Sequence, residues 1–173
     1  SDFVRFVDKK IICKKSNKEK IKILFSFVRP MGNALNNKFI CIEMKKTKDY
    51  VLDGFRECKK RNISFYNSKC SLPLCYCVGF GTHTPEYHFY KDYDDKFISA
   101  IKKDGDYTYS EFKRRLNPLH NFKGDQCREC SLDKYCFGIW ESYYKMFGTK
   151  ELIPQSMLPE EFFKKKKVLK GQT

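Results

Sequence analysis

The chain has 173 residues, with 35 Lys and Arg against 21 Asp and Glu for a formal charge of +14. That length suffices for one well-buried domain, or one domain with a small appendage. No apolar run approaches the roughly 20 residues a membrane span needs, so no membrane partner is expected. No signal-peptide pattern is present, although Ser1 is not an initiator methionine and the missing pattern says nothing of what precedes it.

A basic balance admits nucleic acid as a partner, but no DNA- or RNA-reading motif accompanies it. The basic residues are spread along the chain apart from the run at 164–167, which reads as a solvated tail. Lys, Asn, Ile, Phe and Tyr are all abundant and all have A/T-rich codons, which accounts for the charge without a polyanionic partner. Nine cysteines stand at 13, 41, 58, 70, 75, 77, 127, 130 and 136. Their odd number and the lack of a secretory pattern argue against a disulfide framework. Clustering at 70–77 and 127–136 favours metal ligation in a reducing, cytoplasmic compartment.

In chain order, residues 3–7 and 11–13 are short apolar pieces separated by charges. Residues 21–28 (IKILFSFV) read as a buried strand, broken by Arg29, Pro30, Met31 and Gly32. Residues 46–62 read as a helix with Val51, Leu52, Phe55 and Cys58 on one face, interrupted only by Gly54. A second strand follows at 63–66. Strand, helix and strand at this spacing make a βαβ unit, whose crossover joins parallel strands. Parallel sheets gather functional groups at the carboxyl ends of their strands, so the 29–33 loop and the 70–77 segment share one rim. The stretch 82–118 reads as mixed loop with a helix near 109–116. From 137 the spacing of Trp140, Tyr143, Tyr144 and Phe147 predicts an amphipathic helix closed by Gly148. The resulting division is 1–80 for βαβ structure, 81–155 for a cysteine-rich region, and 156–173 for a basic tail.

The sharpest motif is Cys127-x2-Cys130-x5-Cys136. Thiolates are the soft donors that zinc and iron–sulfur centres prefer. Both normally take four protein ligands, so three thiols require a fourth donor from elsewhere. Cys75 is the best placed, following a strand with Pro73 stiffening its approach. Cys77, two residues on, faces the opposite side of an extended segment. Cys70 and His120 are weaker candidates. Cys136 is expected to open the helix, whose unpaired N–H groups would favour a thiolate. Spacing alone leaves zinc and iron–sulfur both open. Cys13, Cys41 and Cys58 read as buried hydrophobes, and His83 and His88 as turn residues.

The stretch CRECSLDKYCFGIWESYYKMFGTKELIP resembles the auxiliary-cluster segment of radical S-adenosylmethionine enzymes. Cys127, Cys130, Cys136, Gly138, Tyr144, Gly148, Glu151 and Pro154 fall on that segment in order. Upstream, FSFVRPMGNALNN resembles a strand and Arg-Pro-x-Gly loop of the family's partial (β/α) barrel. The helix, second strand and Leu-Pro-Leu-Cys segment are similar to its last barrel unit. The likeness covers about 21–154 and implies an α/β fold: the C-terminal portion of a partial barrel with a small cysteine-rich appendage. It implies an auxiliary [4Fe–4S] cluster held by Cys75, Cys127, Cys130 and Cys136, relaying electrons or positioning substrate, with Arg29 and Asn33 lining the substrate side. Relatives of this kind often modify peptides or proteins.

Two departures bear on it. In longer SPASM-type domains a further Cys stands where this chain has Trp140, so a shortened, twitch-like module is the closer match. The C-x3-C-x2-C loop that holds the catalytic cluster and S-adenosylmethionine is absent from these 173 residues. The resemblance therefore implies a C-terminal half that binds S-adenosylmethionine only together with an N-terminal half or partner chain, and it assigns no catalytic residue here. The competing expectation is a zinc-stabilised basic module that holds nucleic acid or an acidic partner.

Overall fold

Two short parallel strands and the helix between them form the base on which everything else is mounted. The computed structural model describes residues 2–12, 21–29, 31–87 and 121–164. Within it β1 (Lys22–Phe25) pairs in parallel with β2 (Ser64–Asn67), Lys22 opposite Ser64 and Phe25 opposite Asn67. The strand expected over 21–28 is shorter because its backbone leaves the ladder early. Phe25 O accepts from Ser68 N–H at 2.9 Å, and Phe27 N–H donates to Cys70 O at 2.7 Å. The end of β1 is thus tied to the loop that leads towards Cys75. Among the described residues the parallel sheet has only these two strands. Among the described residues one βαβ unit is present, and nothing beyond it indicates a barrel.

After β1 comes a short helix, α2 (Asn33–Asn36), then the crossover helix α3 (Met44–Lys60). Helix α3 buries Phe55 against both strands, with the Phe25 ring 4.9 Å and the Phe65 ring 5.0 Å from its centroid. Phe80 closes the cluster at 5.3 Å. Gly54 has a packing reason: a Cβ there would lie 2.7 Å from the Phe25 ring. Removing the Phe55 ring would cost about 3–5 kcal/mol by the usual scale for aromatic truncation. At the N-terminus α1 (Asp2–Phe6) runs into a π-helical turn, Val7–Ile11, and buries Val4 and Val7. Arg61 at the end of α3 pairs with Asp8 at 2.8 Å and Glu57 at 2.7 Å, which fixes that N-terminal segment.

The second half is built from small pieces. Strands β3 (Asn121–Phe122) and β4 (Ile139–Trp140) pair antiparallel, and α4 (Glu141–Phe147) follows directly. The helix expected from 137 begins only at Glu141, so Trp140 belongs to a strand. Gly138 is the cause: its φ of +70° is incompatible with a right-handed helix. Gly148 ends α4 as the spacing predicts, again with φ of +70°. A last helix, α5 (Pro159–Phe162), lies where a solvated tail is expected from 156. Phe162 and Phe163 are both buried, and Gly81 packs directly against Phe162. The expected helix near 109–116, together with Cys13, Pro30, His88, His120 and the lysines at 165–167, lies outside the described residues. No helix among the described residues is long and apolar enough to cross a membrane.

Glu151 is one of the points at which the two halves are joined. Glu151 accepts the Lys45 N–H at 2.8 Å and the Tyr143 hydroxyl proton, while Tyr143 Oη accepts the Met44 N–H at 2.7 Å. The first turn of α3 is therefore capped from positions 99 and 106 residues away. This is why the helix begins earlier than the 46 that local sequence predicts. Its free N–H groups have no local cap and find partners across the fold.

Candidate metal centre

The three thiols of the knuckle are arranged by a chain of tight turns. A 3-10 turn over Asp125–Glu129 presents Cys127, whose N–H donates to Gly124 O at 2.9 Å. Cys130 N–H donates to Cys127 O at 3.0 Å, and Cys136 N–H to Leu132 O at 2.9 Å. Each turn reverses the chain within a few residues, which brings the three side chains to one side. From the other half, a 3-10 turn over Leu74–Tyr76 carries Cys75 towards them.

Cys75, Cys127, Cys130 and Cys136 all line one small cavity, walled by Leu74, Leu132, Leu152 and Ile153. All four thiols are free and half-buried. Cys77 points elsewhere: it is fully buried, its sulfur accepting from Asn67 Nδ2 at 3.6 Å and donating to Leu72 O at 3.9 Å. Cys70 does not line the cavity, and its carbonyl is occupied by Phe27. Arg29 and Asn33 are not cavity residues either. Arg29 is half-buried in the loop after β1, its Nε lacking a hydrogen-bond partner, and Asn33 opens α2 in an exposed position.

Burial dominates the electrostatics. It pushes the Cys75 thiol up to about 11, with the neighbouring Cys127 and Cys130 adding to the rise. Cys127 and Cys136 are likewise raised, chiefly by desolvation. Against this, each of the four sulfurs has a backbone amide near it. Gly138 N–H donates to Cys136 Sγ and Gln155 N–H to Cys130 Sγ, both at 3.3 Å. Backbone hydrogen bonds from Ile153 and Gly124 oppose the rise at Cys75 and Cys127. Lys123 also lines the cavity, anchored to Asp133 at 3.0 Å, and its charge favours the thiolates of Cys127 and Cys136. Cys75, Cys127 and Cys136, whose thiols burial favours as neutral, thus lie beside donors that suit the anion.

The source of those donors differs from expectation. Cys136 does not open a helix; two residues and β4 separate it from α4. Its sulfur is served by the Gly138 amide, which the positive φ of that glycine swings inward. A Cβ at Gly138 would lie 2.4 Å from Phe122 O, so only glycine fits there.

Among the described residues no group of three or more His, Cys, Asp or Glu stands, as the side chains are placed, ready to hold a metal ion. A tetrahedral zinc with Zn–S near 2.3 Å needs sulfurs about 3.8 Å apart. A cuboidal four-iron cluster holds its four cysteines further from one another, around a larger body.

Two residues at the site carry no sequence signal of their own. Glu86 is 4 % exposed, accepts the Phe137 N–H at 3.4 Å, and is pushed up to about 7 by burial. It lies among aromatic residues with no periodicity to mark it as internal. Gln155 reaches both halves of the thiol set, as described below, and nothing in its neighbourhood distinguishes it from a loop residue. Compared with known proteins, the chain matches no family profile, no curated protein and no solved structure.

Proposed function

We propose that this chain carries a single auxiliary [4Fe–4S] cluster on Cys75, Cys127, Cys130 and Cys136, as the C-terminal module of a radical S-adenosylmethionine enzyme. The observation that supports it is the convergence on one apolar-walled cavity of a local thiol triplet and a fourth thiol about 50 residues upstream. Amide hydrogen bonds to the sulfurs and the Lys123 charge suit a cluster whose net charge with four thiolates is negative. When bound, the cluster would supply one-electron transfer or a Lewis-acidic iron. The chain's own residues hold the sulfurs, exclude water through Leu74, Leu132, Leu152 and Ile153, and neutralise charge through Lys123. In this reading S-adenosylmethionine and its cluster are held by an N-terminal half or partner chain, and a peptide or protein is the substrate class. Arg29 is retained as a substrate-side residue on the rim after β1, its unpartnered Nε being the feature that fits; Asn33, at the start of α2 four residues on, is retained with it.

The test is chemical analysis of protein purified without oxygen. Brown protein with about four iron and four sulfide per chain is expected. Cys75→Ala should lose most of that iron, whereas Cys77→Ala should keep it. Colourless protein holding one zinc would overturn the cluster and favour the zinc-stabilised basic module. Equal iron loss in both variants would remove Cys75 as the fourth ligand.

A further inference from the structure

The segment after α4 runs between the two sources of thiol. Gln155 stands at its centre and bonds to both. Its backbone N–H donates to Cys130 Sγ at 3.3 Å, while its side-chain Nε2 donates to Cys75 O at 3.2 Å. Its carbonyl accepts the Ser131 N–H and the Ser131 hydroxyl, each at 2.8 Å. Ser131 Oγ also lies 2.6 Å from Met157 O, and Gln126 Nε2 donates to Thr149 O at 2.6 Å. The segment is thus fastened to the knuckle on both sides of the residue that touches the ligands. Two positions earlier, Ile153 lines the cavity while remaining 47 % exposed, so the same segment forms the wall between the cavity and solvent.

Resting on the cluster reading above, we propose that Gln155 is a positioning residue for the cluster, with two separable duties. The side-chain amide clamps the Cys75 loop to the knuckle, and the backbone amide sets the reduction potential through Cys130. The clamp follows from its placement: the carboxamide is a direct tie between a ligand-bearing turn after β2 and the segment that covers the cavity. A hydrogen bond to a charged sulfur strengthens as negative charge accumulates. It therefore stabilises the reduced cluster more than the oxidised one and raises the potential.

Gln155→Ala removes the clamp and keeps the N–H; Gln155→Pro removes both. In anaerobically reconstituted full-length protein, Gln155→Ala should lose iron to a chelator about fivefold faster than the parent, with its midpoint potential unchanged. Gln155→Pro should show the same loss and a more negative midpoint, read by potentiometric titration of the cluster's electron paramagnetic resonance signal. Circular dichroism of the iron-free proteins reports whether each variant folds. Should the proline variant fail, Ser131→Ala removes the hydroxyl's bonds to Gln155 O and Met157 O, keeps the Ser131 N–H bond to Gln155 O, and is expected to accelerate chelation by less than Gln155→Ala does. Chelation as slow as in the parent for both alanine variants overturns the clamp. Parent protein without iron and sulfide overturns the cluster itself. Iron-loaded parent with variants of unchanged chelation rate and unchanged midpoint leaves the cluster standing and overturns the role of Gln155.

Discussion

At the scale of single residues, desolvation is the force that sets the chemistry of the cavity. It keeps Cys75 protonated at neutral pH, so under the proposed function loading should release protons. Glu86 experiences the same force in measurable form. Its folded value of about 7 lies above the ordinary 4.5, so the native state holds a proton that the unfolded chain has already released. Between pH 4.5 and 7 the unfolded state binds fewer protons, and stability falls as pH rises through that window. The full loss amounts to about 3 kcal/mol. Urea midpoints of the metal-free, reduced protein should decline across this range, and Glu86→Gln, which keeps an acceptor for the Phe137 amide, should abolish the decline. A flat profile in the parent would show that Glu86 is ionised in the fold. The gathering of the three thiols at 127–136 on one cavity is legible in sequence because their spacing is local. Glu86 is not, because an isolated acid acquires its environment only from residues far along the chain.

Among the elements, legibility follows the range of the interactions that define them. Helix α3 shows in the sequence through its apolar face, since Phe55 and Cys58 recur at helical spacing and are both buried. Its first turn does not show, because the groups that satisfy Met44 and Lys45 are Tyr143 and Glu151. Strand β1 is shorter than its apolar run because a loop, and not a third strand, takes its next hydrogen bonds. The aromatic spacing from Trp140 to Phe147 suggests one helix, yet Gly138 forces a turn and β4 intervenes. Gly138 and Gly148 share a φ of +70° but differ in surroundings: nothing lies within 4 Å of a Cβ at Gly148, whereas Phe122 O blocks one at Gly138. Backbone strain alone costs an alanine at either site about 1–3 kcal/mol. Gly138→Ala should therefore be the more destabilising of the two in urea denaturation, and it alone should lower iron retention, because its amide serves Cys136. Equal effects on stability and iron would show that the Phe122 contact is unimportant.

Taken whole, the cavity draws its thiols from both halves of the molecule, so under the proposed function loading and folding are thermodynamically linked. The iron-loaded protein should unfold at a midpoint about 5 °C or more above the chelator-stripped form. Coincident transitions would mean that the metal contributes nothing to the fold. The βαβ unit was visible from element spacing, since a strand, a helix and a strand leave few other arrangements. Helix α5 was not, because the charges around Phe162 and Phe163 mask two buried rings in a lysine-rich terminus. Glu151 has one more consequence. Because Glu151 caps α3 and also holds Tyr143, opening either half removes hydrogen bonds from the other. Heat should dismantle the parallel pair and the knuckle in one cooperative step, and differential scanning calorimetry should trace a lone peak.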